Sequence, residues 1–121
     1  MKKTIKRKHE KLRNLIQDLK KLSKEKEVNL WKRIAKDLQK STKQQRVVNL
    51  YKINELTKKG DTVIIPGKVL GTGELKHDVT VAAYKFSRQA KDKISDSKGK
   101  PLSINELLKE NPEGKNIRII G

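Results

Sequence analysis

Glu74, His77 and Asp78 form the one cluster in this 121-residue chain whose residue types suit acid–base or metal chemistry. They fall within a single short turn beside Lys76. A metal-dependent nuclease needs several carboxylates converging on one or two cations, and no second acidic group is spaced to join these three. The turn therefore reads as solvated, or as a phosphate contact through Lys76 and His77. Gly71-Thr72-Gly73 imitates the start of a dinucleotide fingerprint, but Lys76 stands where the third glycine belongs. A strand pattern also follows it, where a helix must meet the pyrophosphate. Gly67-Lys68 fails as a P-loop in the same way, with no glycine five positions before Gly67 and no Ser or Thr after Lys68. Gly71 and Gly73 instead predict a sharp turn with positive φ, or a place where backbone comes close to RNA. His9 has no partner in sequence, and the G-x-S-x-G, H-E-x-x-H and paired-carboxylate patterns are all absent. The chain has no cysteine, which excludes disulfides, thiolate zinc sites and cysteine nucleophiles together. The residues predict no catalytic group, no metal and no cofactor.

The chemistry the chain does carry is cationic. It holds 31 Lys and Arg against 14 Asp and Glu, a net charge of +17. Residues 1–60 contribute 20 basic against 6 acidic side chains, and residues 61–121 contribute 11 against 8. Solubility alone asks for a net charge of roughly 2–8 in a small domain. A field this strong draws a polyanion, because each cation that neutralises a phosphate releases condensed counterions. A membrane-surface binder needs an apolar stripe with interfacial aromatics, and the aromatics here are only Trp31, Tyr51, Tyr84 and Phe86. So few rings also argue against stacking on unpaired bases as the main mode. Nucleic acid held through phosphate and shape is the expected partner, with no membrane and no small-molecule substrate. The residues predicted to make the contacts are Lys2, Lys3, Lys6, Arg7, Lys8 and Lys11 at the start, and Lys40, Lys43 and Arg46 in a polar connector. Lys68, Gly71, Gly73, Lys76 and His77 around the glycine turn join them, as do Lys85, Arg88 and Lys91, of which Arg88 and Lys91 share a helix face. Charge by itself does not separate a ribosomal RNA binder from a chromatin-like or nucleoid protein that coats DNA; an RNA-processing enzyme would need the Glu74/His77/Asp78 turn as its site.

These side chains need elements to position them. The length implies one domain. Hydrophobic residues make up 33% and charged residues 37%, which predicts a small core and some segments that gain order only in a complex. Residues 1–11 form a self-repelling basic arm, expected to stay extended until an anion neutralises it. Residues 12–121 form a globular unit: helical over 12–40, a basic connector over 41–46, and mixed α/β over 47–121. Leu12, Leu15, Ile16, Leu19 and Leu22, then Leu30, Trp31, Ile34, Ala35 and Leu38, follow the i, i+3, i+4 spacing. They predict a helical hairpin over about 9–22 and 29–40, with Trp31 filling core rather than stacking on a base. Val47 to Leu50 reads as a short strand, and Ile53 and Leu56 as a short helix ending near Gly60 at its C′ position. Thr62 to Ile65 is a strand broken by Pro66-Gly67 and resumed to Leu70, which points to an edge or a bulge. Val79 to Tyr84 is the next strand, and Ser87 caps a helix. Ser103-Ile104-Asn105-Glu106 is a capping box for a helix ending before Asn111-Pro112, and Asn116 to Ile120 is a last strand. The fold class is mixed α/β, a helical hairpin followed by short strands alternating with short helices. No apolar run approaches the roughly 18 residues that span a bilayer, and the basic start lacks the apolar stretch of a secretory signal. An intracellular soluble protein is expected.

Five segments, in order, resemble a known family: Arg46 to Ile53, Val63 to Gly73, Asp78 to Ala83, Phe86-Ser87 and Asn111 to Gly114. From about Leu30 onward the chain is similar to the large-subunit ribosomal protein family called eighteen-e, found in archaea and eukaryotes and related to universal ribosomal protein fifteen. The sequence departs from that pattern at Ser41-Thr42. It ends at Gly121 without the long basic tail of eukaryotic members and so resembles the archaeal ones. The resemblance implies a compact mixed α/β domain with no catalytic residues. It also implies a structural role in the cytoplasmic ribosome, with large-subunit ribosomal RNA and neighbouring ribosomal proteins as partners.

Overall fold

The computed structural model describes residues 2–40 and 45–120, with backbone only over residues 2–9. Helix α1 (Lys2–Lys26) and helix α2 (Asn29–Leu38) form the expected hairpin. The start of α1 corrects one expectation: the helix begins at Lys2, so residues 2–11 of the basic segment are helical and continuous with the hairpin instead of extended. The run of lysines interrupts no helical hydrogen bond, and the apolar stripe from Leu12 onward anchors the turns that precede it. The turn between the helices is made by Glu27, a non-glycine residue at φ 55°. The Val28 amide donates to Ser23 O at 3.1 Å, and the Ser23 hydroxyl donates to Val28 O at 2.8 Å. These bonds satisfy the carbonyls that the helix end leaves open and hold Glu27 in a backbone conformation that costs roughly 1–2 kcal/mol.

Strand β1 (Arg46–Asn49) leads directly into helix α3 (Leu50–Leu56), then strands β2 (Thr62–Leu70) and β3 (Thr80–Phe86), helix α4 (Arg88–Asp96), strand β4 (Lys100–Ser103), helix α5 (Ile104–Glu110) and strand β5 (Ile117–Ile119). All strand pairs are parallel, in the order β1-β2-β3-β4, with β5 also on β2. β3 lines one edge of β2, while the other edge is shared: β5 pairs with Thr62 to Ile64 and β1 with Gly67 to Leu70. Pro66 falls between these two partners, and the β3 register slips between Ile65 and Lys68. The proline therefore marks a bulge, as its missing N–H demands, but in the central strand and not at an edge. Gly67 is required there because a Cβ would run into the Arg46 backbone. Two further expectations change. Helix α3 stops at Leu56, and Gly60, at φ +85°, sits in the following turn instead of capping the helix. β4 was not expected, since Lys-Pro-Leu-Ser carries almost no β-propensity.

The sheet is covered on both faces. Val63, Ile65, Val69, Val81 and Ala83 pack with α3 and α4 through Leu50, Ile53, Ala90 and Ile94. Ile64 and Ala82 point the other way, onto Leu15 and Leu19 of α1, Trp31, Ile34 and Leu38 of α2, and Ile104 and Leu107 of α5. Burying each of the Val, Leu and Ile side chains contributes about 1.5–3 kcal/mol. Trp31 is fully buried and its Nε1 donates to Pro112 O at 2.8 Å, so it fills core as its stripe predicts. Both predicted caps form: the Ala90 amide donates to Ser87 Oγ, and Ser103 and Glu106 close a reciprocal capping box.

Candidate nucleic-acid interface

In a parallel sheet every strand ends on the same side, and the loops there are the usual place for a ligand. Here that side is cationic. Lys68 of β2 and Lys85 of β3 are cross-strand partners, both exposed. With Lys91 of α4 they line a cleft of about 320 Å³ that also takes in Tyr84, Ser103 and Glu106. A second cleft of about 270 Å³ is lined by Lys11 of α1 with Tyr84, Lys85, Ser103 and Asn105. The two share Ala83, Tyr84, Lys85 and Ser103, so they form one groove running from α1 to α4 across the strand ends. The Lys85 ammonium lies 5.6 Å from the centre of the Tyr84 ring. Burial pushes the Tyr84 phenol up from its ordinary value, so the hydroxyl stays neutral and able to donate. Glu106, the one carboxylate in the groove, is held below the usual range, first by the Ser103 amide, then by the Ser103 side chain. It is thus committed to its cap.

The glycine turn follows β2 and is held by its own scaffold. Tyr51 N donates to Thr72 O at 3.0 Å, and Lys93 Nζ donates to both Gly71 O and Gly73 O at 2.8 Å. Gly73 has φ +92°, and a Cβ there would lie 2.5 Å from Tyr51 Cβ. Gly71, contrary to expectation, has no positive φ; a Cβ there would lie 2.7 Å from Gln89 Cγ and 2.8 Å from Gln89 Cβ. Lys93 is the residue that sequence reasoning missed, because nothing local links it to carbonyls twenty and more positions away.

The remaining candidates divide. Arg88 is exposed on the first turn of α4, and Lys76 is exposed with its amide bound by Asn54 Oδ1 at 2.9 Å. His77 Nε2 lies 2.8 Å from Thr57 Oγ1, which itself donates to Ile53 O at 2.6 Å. The hydroxyl has one proton and spends it on Ile53, so Nε2 carries the hydrogen and donates. His77 thus ties the turn to α3, leaving only Nδ1 outward. Lys40 and Arg46 both face Asp37, at 3.5 Å and 3.6 Å; the Arg46 pair braces the start of β1 against α2, while Lys40 lies just past the end of α2 itself. Lys43 lies outside the described residues. Lys2, Lys3, Lys6, Arg7 and Lys8 ride on the first turns of α1, their side chains outside what is described. Among the described residues no group of three or more His, Asp or Glu is arranged to hold a metal, the Glu74/His77/Asp78 turn included.

The family model described as ribosomal protein 60S L18 and 50S L18e matches residues 1–121. The chain belongs to this family. A large ribosomal subunit protein eL18 of Methanoregula boonei is 44% identical over 120 residues, covering 99% of each chain. Proteins of the same description from Sulfurisphaera tokodaii and Methanospirillum hungatei are 50% identical over 99 residues and 48% identical over 109. They are matched over 82% and 90% of this chain and 83% and 90% of their own. The resemblance seen from Leu30 onward therefore extends through the basic first helix as well.

Proposed function

We propose that this chain is a structural constituent of the large ribosomal subunit, that it holds ribosomal RNA in the groove at the strand ends, and that it packs beside neighbouring ribosomal proteins. Its role is architectural and not enzymatic, and its place is the cytoplasmic ribosome. No helix among the described residues is long and apolar enough to cross a membrane. The observation that carries the RNA contact is the groove itself. Lys11, Lys68, Lys85 and Lys91 come from four separate elements and converge on one surface. Ammonium groups on flexible stems suit phosphates met by shape rather than bases read by their edges. Family membership supplies the assembly in which that RNA is found.

The test is a Lys68→Gln/Lys85→Gln/Lys91→Gln variant, assayed on large-subunit RNA across a salt series. If all three lysines meet phosphate, the slope of log affinity against log salt becomes shallower by roughly 2–3, at about 0.7–0.9 for each neutralised phosphate. The wild-type protein should sediment with large subunits through a moderate salt wash. An unchanged slope would remove the groove from the interface, and sedimentation with DNA would replace the ribosomal reading by a nucleoid one.

A further inference from the structure

A second basic surface lies away from the groove, on residues the sequence did not single out. Lys20, Lys21 and Lys24 of α1 and Lys32 of α2 line an open cleft of about 500 Å³ between the two helices; its remaining lining residue is Ser23. All four lysines are exposed and no carboxylate lines the cleft. The ion pairs among the described residues engage Lys40, Arg46, Lys115 and Arg118, and none of these four. The Ser23 hydroxyl is already spent on Val28 O. Lys20 and Lys24 stand one helical turn apart, where like charges repel, and Lys32 adds a third from the facing helix. Such a cluster is relieved by an external anion with several charges spaced along it.

Its position separates it from the groove. Lys11, which lines the groove, and Lys20 are nine positions apart on α1, about 13 Å along the axis and about half a turn around it. The two lysines thus face opposite sides of the helix, and a rigid duplex seated on one cannot lie on the other. We infer that the α1–α2 cleft binds the phosphate backbone of a second RNA segment, so that the protein clamps two segments together. This rests on the ribosomal RNA reading above. RNA is favoured over an acidic protein because the strand-end groove of the same chain is read as an RNA contact, and four exposed lysines in a chain of net charge +17 suit a polyanion whose charges repeat along a rigid backbone.

The experiment uses the full chain, a short RNA duplex tethered to beads, and a second, fluorescent copy of the same duplex in solution. Wild-type protein should carry fluorescent duplex to the beads. A Lys20→Gln/Lys24→Gln/Lys32→Gln variant should still bind the tethered duplex but lose bridging at least tenfold. Its salt slope for total RNA binding should become shallower by roughly 2–3, and the Lys→Arg version of the three positions should bridge as wild type does. Because all three side chains are exposed, the melting transition of the Gln variant should match wild type. If wild type fails to bind the tethered duplex, the RNA reading itself falls and takes this inference with it. If it binds but does not bridge, or if the Gln variant bridges undiminished, only the second segment is refuted. Lysine-dependent binding of poly-glutamate with bridging unchanged would overturn the RNA assignment in favour of an acidic protein partner.

Discussion

Replacing Gly73 by alanine or valine should unfold the free protein at a markedly lower temperature, before RNA binding enters. Gly73 holds φ +92°, a region that costs an L-residue roughly 1–2 kcal/mol. The new Cβ would also stand 2.5 Å from Tyr51 Cβ and 2.8 Å from Tyr51 N. The second neighbour is backbone at the first residues of α3, so it cannot swing aside as a side-chain tip would. Relief by separating the two segments stretches the Tyr51 N to Thr72 O bond, now 3.0 Å, worth about 1 kcal/mol. The sum is about 2–4 kcal/mol, which for a chain of this length lowers Tm by of order 10 °C. Gly71→Ala is the internal comparison. Its Cβ would lie 2.7 Å from Gln89 Cγ and 2.8 Å from Gln89 Cβ, so α4 must give slightly, but the residue has no positive φ; the loss should therefore be smaller than at Gly73 by the roughly 1–2 kcal/mol of the strained backbone. Thermal melts followed by circular dichroism read both variants. An unaltered Tm for Gly73→Ala, together with weakened RNA binding, would refute this reasoning and show that the glycine serves close approach of RNA instead of the turn.

Two further outcomes are expected. Deleting residues 1–11 removes six basic side chains and one acid; ellipticity should fall with the missing turns of α1, while Tm should hold because Leu15 and Leu19 keep their places in the core. For every phosphate that the deleted segment would have neutralised, the salt slope should become shallower by about 0.7–0.9, and an unaltered slope would mean that the segment is merely solvated. For Glu106, the capping box lowers the folded-state pKa below the unfolded value, so the unfolded chain takes up the proton more readily and stability rises with pH across that window. The stabilisation is present above the ordinary glutamate value and is lost as pH falls through the lowered one. Melts of wild type and Glu106→Gln should therefore differ at neutral pH and converge in acid; a constant difference would place the effect elsewhere.

Local patterns carried much of the fold. The apolar stripes of α1 and α2, the Ser87 cap and the Ser103/Glu106 capping box depend on residues three or four apart, and all appear where the sequence puts them. The strong positive charge was legible too, since net charge does not depend on how the chain folds. The segments that misled did so for identifiable reasons. Residues 1–11 looked extended because charge repulsion weighs against order, yet the neighbouring apolar turns carry the helix back to Lys2. Pro66 pointed to an edge or a bulge, and the structure takes the bulge, because one strand edge is divided between two short partners on either side of it.

The basic residues themselves are properties of the sequence; which of them act together is a property of the tertiary structure. Lys40 and Arg46 looked equivalent to Lys68 and Lys85, but packing sets the first pair against Asp37 and leaves the second pair open at the strand ends. Lys93, which no local pattern marks out, bridges two carbonyls of the glycine turn. Helical and strand periodicity relate neighbours within a few positions, whereas parallel pairing aligns Lys68 with Lys85 and brings Lys11 to the same groove. Those pairings close loops of tens of residues, and only the burial of both sheet faces supplies the free energy that holds them closed.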